Sequence, residues 1–164
     1  MEPWSILAVI AGVASTFIGF TGVIFAVGRS SLDGWNPRER TALLNLLLPS
    51  VFVLFLAFVP IVASTGIQSQ ELIWRGSNGV LAAIHLALVT SALRAALKAT
   101  LMEPVPLRFV LIPGGYLSGL LSALAALGFV PRLTVTVFVG GLVWSLLVAA
   151  VLFVMLIVPR HVAA

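Results

Sequence analysis

Residues 133–159 read LTVTVFVGGLVWSLLVAAVLFVMLIVP and contain no charged side chain. A helix needs roughly 20 apolar residues to cross a hydrocarbon core about 30 Å thick, so this stretch is long enough to span a bilayer. Four further uncharged stretches precede it, at residues 3–28, 41–70, 76–93 and 109–131. Because only helices and closed barrels satisfy their backbone groups in lipid, the sequence predicts an all-α polytopic membrane protein with a bundle of five transmembrane helices.

Composition agrees with this prediction. Of 164 residues, 61% are hydrophobic and 9% are charged, whereas a soluble domain has about 25% charged residues. We therefore expect one transmembrane domain over residues 1–164, with spans at about 4–27, 38–64, 74–97, 108–128 and 133–158. The linkers between these spans are short, so we expect any function to reside in the helices or their tight loops.

The basic residues sort between the two faces of such a bundle. Only Arg75 and Arg132 fall on one side, and the other side carries Arg29, Arg38, Arg40, Arg94, Lys98, Arg108 and Arg160. The positive-inside rule then predicts an N-outside, C-inside orientation. This basic collar fits anionic lipids at the cytoplasmic face better than nucleic acid.

Residue usage also bears on the compartment. The chain has no cysteine, which excludes disulfides and thiolate chemistry. Arginine far outnumbers lysine, and alanine, leucine, valine and glycine dominate, as in proteins encoded by GC-rich bacterial genomes. We therefore expect a multi-pass protein of the bacterial inner (plasma) membrane.

Three spans carry faces made of small residues at helical spacing. The first span has Ala8, Gly12, Ser15, Gly19, Gly22 and Ala26, the fourth has Gly115, Gly119, Ser122 and Ala126, and the fifth has Gly141, Ser145 and Ala149. Small residues let helices approach closely in lipid. We expect these faces to pack within the chain, and the alternative is self-association through the first span, giving a homo-oligomer.

Proline breaks the regularity of two spans. Pro49 frees the carbonyl of Asn45 and Pro60 frees that of Leu56, so the second helix is predicted to be kinked. In the fourth span, Pro113, Gly114 and Gly115 indicate either an irregular segment that lines a cavity or a plain helix start after a turn. The plain helix start is the simpler interpretation.

A polar stripe descends the third span. Glu71, Arg75, Asn78, Ala82 and His85 follow the spacing of one helix face. An ionisable residue inside a membrane is a functional-site hypothesis, so His85 is a candidate gate, pore constriction or axial ligand. The alternative is that a neighbouring serine, threonine or carbonyl satisfies the imidazole. Trp144, in the middle of the fifth span, must likewise place its N–H against protein, a cavity or a ligand.

Enzymatic chemistry has little support in the sequence. No Asp or Glu lies inside a span, whereas proton- and cation-coupled transporters usually place a carboxylate at mid-membrane. Intramembrane aspartyl or metalloproteases likewise need carboxylates or clustered histidines. Residues 115–119 resemble the serine loop of rhomboid proteases, which would pair Ser118 with His85, but the Gly-x-Ser-Gly order is not kept and five spans are too few. We expect no catalytic residues, no metal and no cofactor.

The run FIGFTGV at residues 17–23, followed by WNPRER at residues 35–40, resembles a group of small bacterial integral-membrane proteins that carry F-x-G-F-x-G-V and W-x-P-x-E-R. The likeness also takes in residues 56–60 and 74–75, so it covers the first half of the chain. It implies a bacterial membrane protein with a packed first hairpin and implies no substrate.

Three functional classes follow from these patterns. The first is a homo-oligomeric passive channel or transport protein, in which several copies surround a path lined by the polar face of the third span. The second is a non-catalytic accessory or assembly subunit that docks on another membrane protein. The third and most distant is a lipid-acting membrane enzyme.

Overall fold

The structure is a computed structural model that describes residues 2–28, 37–98 and 108–157, without the side chains at 25, 27, 28, 37–43, 45, 46, 95, 96, 98, 108, 109 and 155–157. Most of the predicted basic collar, and the Asn45 side chain, therefore lie outside the described residues.

The described chain forms five α-helices: α1 Pro3–Gly28, α2 Pro37–Ser64, α3 Gln70–Lys98, α4 Arg108–Ala126 and α5 Thr134–Ile157. A short 3₁₀ turn, Pro131–Leu133, leads into α5, and no strand occurs within the described ranges. The predicted all-α class is confirmed. Most helix ends fall within two residues of their predicted positions, whereas α3 begins at residue 70 rather than 74.

Three helices are long and apolar enough to cross a membrane, in the segments Pro3–Ile24, Gln70–Arg94 and Pro131–Val154. The apolar parts of α2 and α4 are shorter, at Leu47–Ala63 and Val110–Ala126. Apolar side chains also cover much of the outer surface, including Phe55, Val62, Leu117 and Leu147. Such a surface is expected where a protein meets lipid rather than water.

The prolines do not interrupt their helices. α2 continues through Pro49 and Pro60, and α4 is helical from Arg108 through Pro113 to Ala126. The plain helix interpretation is therefore confirmed for residues 113–115, and an unwound segment there is wrong.

The α5 helix lies at the centre of the bundle, where it contacts all four other helices. The main apolar core joins α1, α2, α3 and α5, through Leu7, Ile10, Leu56, Leu81, Phe138 and Leu142 among others. Trp74 stands between Trp4 and Phe138, with ring centroids 5.5 and 6.0 Å away. The α4 helix packs beside this core against α3 and α5.

The small-residue faces divide into two kinds. Those of α4 and α5 lie in helix interfaces, since Gly115, Gly119 and Gly141 are buried, so intramolecular packing is confirmed there. For the small-residue face of α1, the prediction of intramolecular packing is wrong. Every residue of that face from Ala8 to Ala26 is exposed, including Gly12, Ser15, Gly19 and Gly22. The bulkier opposite face of α1 is the one that enters the core, because it buries more apolar surface.

A glycine turn ends α4. Gly128 adopts φ +85°, and the amide of Phe129 donates to the carbonyl of Leu124 while the amide of Gly128 donates to that of Ala125. These two bonds form a Schellman motif. The Arg75 side chain donates from Nε to the Ala126 carbonyl at 3.0 Å, so α3 supplies a cap for α4.

Candidate functional site

His85 sits between two serines from two other helices. Ser118 of α4 lies 3.1 Å from Nδ1, and Ser145 of α5 lies 2.7 Å from Nε2, both measured to Oγ. The His85 residue is only 8% exposed. The imidazole thus ties together α3, α4 and α5 inside one chain.

Both tautomers of the imidazole satisfy its two contacts. Ser145 Oγ also lies 3.2 Å from the Gly141 carbonyl, to which it can donate. In that arrangement Ser145 accepts from His85 Nε2–H and Nδ1 accepts from Ser118; in the other tautomer Ser145 donates to Nε2 and Ser118 accepts from Nδ1–H.

Two glycines give the imidazole its space. A Cβ at Gly119 would lie 2.9 Å from Leu86 Cδ2 and 3.4 Å from His85 Cβ. A Cβ at Gly141 would lie 2.7 Å from Leu81 Cδ2, 3.2 Å from Ser118 Oγ and 3.6 Å from His85 Cε1. The small-residue faces of α4 and α5 therefore let the helices approach closely enough for both serines to reach the ring.

Asn78 lies two turns from His85 on the same helix and is fully buried. Its Nδ2 donates to the carbonyls of Trp74 and Thr134, each at 2.8 Å. The second bond fixes the start of α5 against α3. The Asn78 Oδ1 atom is buried without a hydrogen-bond partner among the described residues.

A further polar group lies along this line, since Ser122 is buried on α4 one turn from Ser118. We call the set Asn78, His85, Ser118, Ser122 and Ser145 the polar column. From Asn78 to His85 it covers about 10 Å of the α3 axis, at about 1.5 Å per residue. Thr90 and Tyr116, whose hydroxyls lie 3.2 Å apart, are on other faces of α3 and α4.

The two charged members of the predicted stripe lie at the α3 N-terminal end of the bundle. Arg75 is half-buried against the end of α4, and Glu71 is exposed and pairs with it at 3.4 Å. An exposed pair at this spacing contributes little to stability. Arg75 thus has a capping contact of its own, and Glu71 stands on the surface.

Trp144 packs on Gly114. The six-membered ring of the indole occupies the space where a Cβ of residue 114 would lie. Trp144 is half-buried, so it faces α4 along one side of its ring rather than a closed cavity. Pro113, which precedes Gly114 in the chain, is exposed, and Pro49 on α2 is half-buried.

Sequence reasoning singled out His85 and Asn78 but missed that Ser145 is a partner of His85. The sequence alone indicates Ser118 only as a catalytic partner and Ser145 only as a packing residue. The signal for Ser145 is its place among the small residues of α5, whereas Ser118 lies beside the small-residue face of α4 and carries no such signal. The interpretation that a neighbouring serine satisfies the imidazole is confirmed for both ring nitrogens.

The Ser118–His85–Ser145 set differs from a Ser-His-carboxylate triad. Ser118 and His85 have the contact that a nucleophile and a base need, but the second ring nitrogen meets another hydroxyl instead of an orienting carboxylate. Ser118 lies inside a continuous helix, so the backbone amides around it are engaged in helical bonds. No group of three metal-ligating side chains occurs in the described part of the chain.

No protein-family model, curated protein or solved structure matches the chain.

Proposed function

We propose that the chain is a multi-pass membrane protein of the passive transport type, and that its path follows the polar column inside each copy. The observation that carries this proposal is the Ser118–His85–Ser145 chain of hydrogen bonds across three helices. Buried polar groups in a membrane are expensive, and a line of them marks a route for a polar species.

An opening at one end of the bundle supports the same route. An open depression of about 580 Å³ is lined by Glu2, Pro3, Trp4, Gln70 and Trp74. The Trp74 carbonyl accepts from Asn78, so the floor of this depression lies one helical turn from the first member of the column.

The path differs from one lined by several copies. Asn78 and His85 face α4 and α5 of their own chain rather than the outside of the bundle. Homo-oligomerisation would therefore serve assembly, with one path in each copy. We propose five spans in the bacterial inner membrane, N-outside and C-inside, with anionic lipids at the cytoplasmic face.

Replacing His85 tests this function. In purified protein reconstituted into vesicles, we expect influx of a small ion or neutral solute above the protein-free rate, and a change of at least fivefold in His85→Ala. His85→Gln, which keeps hydrogen-bonding capacity, should stay folded and show the same altered flux. The control is Leu72→Ala, because Leu72 is an exposed apolar residue of α3 outside the column. Wild-type flux in both His85 variants would remove the histidine from the path.

A non-catalytic accessory or assembly role is the second candidate, and the outward face of α1 favours it. Nothing in the described chain lies within 4 Å of a Cβ built at Gly12, Gly19 or Gly22. A small-residue face of this kind accepts a second helix at close range. Docking of another membrane protein there requires no chemistry from the polar column.

Gly19→Leu tests the docking role. We expect it to abolish association with a partner or a second copy while the isolated chain keeps its stability, because the added side chain meets open space. Val9→Leu is the control, since Val9 is 61% exposed on a neighbouring strip of the same helix. Native mass spectrometry of protein extracted from its own membrane measures association in both variants. Association that survives Gly19→Leu would locate the docking face elsewhere.

A further inference from the structure

The open depression where α1 and α3 begin carries one negative charge in its lining. Five residues line it, namely Glu2, Pro3, Trp4, Gln70 and Trp74, and its volume is about 580 Å³. Glu2 is the only charged residue of that lining. It is exposed, and it forms no ion pair within the described residues. Sites for small molecules commonly have volumes of about 300–1,000 Å³, so the depression has room for a small ligand that a carboxylate attracts.

Two tryptophans form the aromatic wall of the depression. Trp74 is 5% exposed and stands between Trp4 and Phe138. The ring centroids of Trp4 and Trp74 lie 5.5 Å apart, with 31° between the ring planes. Trp4 is half-buried, so part of its ring stays accessible from the depression. The indole ring attracts a cation more strongly than the other aromatic side chains do, and a wall that is already packed loses little freedom when a ligand binds.

The arginines at this end of the bundle do not line the depression. The Nε of Arg75 donates to a carbonyl at the end of α4, and its Nη1 donates to Glu71. Arg132 is exposed before α5 and is not a lining residue. The Glu71 carboxylate is therefore paired, whereas the Glu2 carboxylate has no such partner among the described residues.

We propose that the depression binds an organic ammonium group, held between the Glu2 carboxylate and the Trp4 ring. The group can come from the amine head group of a phospholipid or from a free amine, since both present the same chemistry. One carboxylate and aromatic rings cannot replace the water shell of a metal cation, whereas the alkyl groups around an ammonium pack well on indole. This binding needs no passage through the polar column, so the inference goes beyond the proposed function.

The charges at this place disfavour an anion. The start of a helix attracts negative groups, and both α1 and α3 start here. Each start already has a carboxylate beside it, because Glu2 directly precedes α1 and Glu71 lies in the first turn of α3. A phosphate or carboxylate ligand would in addition be repelled by Glu2.

The indole N–H signals in the NMR spectrum of protein labelled at its tryptophans measure the binding. The purified protein in micelles of a non-ionic detergent is titrated with tetramethylammonium chloride, and potassium chloride at equal concentration controls for ionic strength. We expect the signals of Trp4 and Trp74 to shift to saturation with tetramethylammonium and to stay in place with potassium. Trp144 lies within α5 and outside the lining, so its signal is the internal reference and should not shift.

A matched pair of glutamate variants tests the lining. Glu2→Gln removes its only charge and should weaken tetramethylammonium binding by about fivefold or more without unfolding the protein, because Glu2 is exposed. The control is Glu71→Gln, which removes the same charge from an exposed residue at the same end of the bundle but outside the lining. It should leave the affinity within about twofold of the wild-type value. Trp4→Leu keeps an apolar side chain but removes the aromatic face, so it should weaken binding as much as Glu2→Gln does.

Nanodiscs distinguish the two sources of the ammonium group. In discs of phosphatidylglycerol, which has no amine, tetramethylammonium should shift the Trp4 and Trp74 signals as it does in micelles. If a lipid head group is the ligand, phosphatidylethanolamine added to these discs should cause similar shifts and compete with tetramethylammonium. Shifts with the soluble probe alone would identify a free amine as the ligand.

Two results would overturn the inference, namely no saturable shift with either source, or shifts caused by sodium phosphate instead. Unchanged affinity in a folded Glu2→Gln protein would overturn the role of the carboxylate. The readout is binding and not flux, so a failure of the proposed transport function appears separately, in the vesicle assay of the His85 variants.

Discussion

Gly141→Ala is expected to destabilise the protein by about 1–3 kcal/mol, the usual cost of adding atoms to a packed core. The new methyl would lie 2.7 Å from Leu81 Cδ2 and 3.2 Å from Ser118 Oγ. Separating α5 from α3 and α4 to relieve these contacts would also lengthen the hydrogen bonds of His85. Unfolding measured in mixed micelles with increasing denaturing detergent reports the free energy, and ion or solute flux reports the site.

The neighbouring glycine provides the matched control. Gly140 is on the same helix, is exposed, and has nothing within 4 Å of a built Cβ. Gly140→Ala should therefore change stability by less than about 1 kcal/mol, towards stabilisation, as expected for alanine in a helix. Leu81→Ala combined with Gly141→Ala should cost less than the sum of the two single changes, because the cavity left by one accepts the methyl of the other. Equal stability in the two glycine variants would contradict the close packing at Gly141.

Gly114→Ala is the second substitution with a large expected effect. The Trp144 ring occupies the position of the added methyl, and a rigid indole can only leave that position by changing its rotamer or pushing α4 away. We expect a loss of about 1–3 kcal/mol in the free energy of unfolding. The measurement is again detergent unfolding of the purified protein.

A double-mutant cycle isolates the contact between the glycine and the indole. Trp144→Ala removes the ring and leaves a space, so Gly114→Ala made in that background should have little effect or should stabilise the helix. Gly12→Ala, on the open face of α1, controls for the backbone effect of replacing glycine in a helix. A Gly114→Ala penalty that persists without the indole would point to a cause other than Trp144.

Much of the fold could be predicted from single stretches of sequence, for a physical reason. A long apolar run can only satisfy its backbone groups in lipid as a helix, so the ends of α1, α2 and α5 follow from where charged residues and linkers begin. The early start of α3 could not be predicted from hydropathy, because Gln70 and Glu71 are polar. Ser69, which precedes the helix, accepts from the amide of Leu72 and supplies that start.

The α1 face illustrates where sequence patterns alone are ambiguous. A row of small residues indicates that another helix can approach closely, but it does not indicate whether that helix belongs to the same chain. Rows of small residues on α1 and α5 have opposite outcomes here: Gly141 is buried against Leu81, and Gly19 meets open space. The difference depends on whether the small-residue face of a helix or the face opposite it buries more apolar area in the core. That is a property of the assembled bundle.

The helical class, the number of helices and the polar residues of α3 can be predicted from sequence, because they depend on local composition and on backbone hydrogen bonding. The groups that meet His85 depend on the packing of the helices. Ser118 and Ser145 are 33 and 60 residues away along the chain, and they reach the imidazole because the close approach at Gly119 and Gly141 brings three helices to one point. Such a meeting depends on packing between distant segments, which no local pattern specifies.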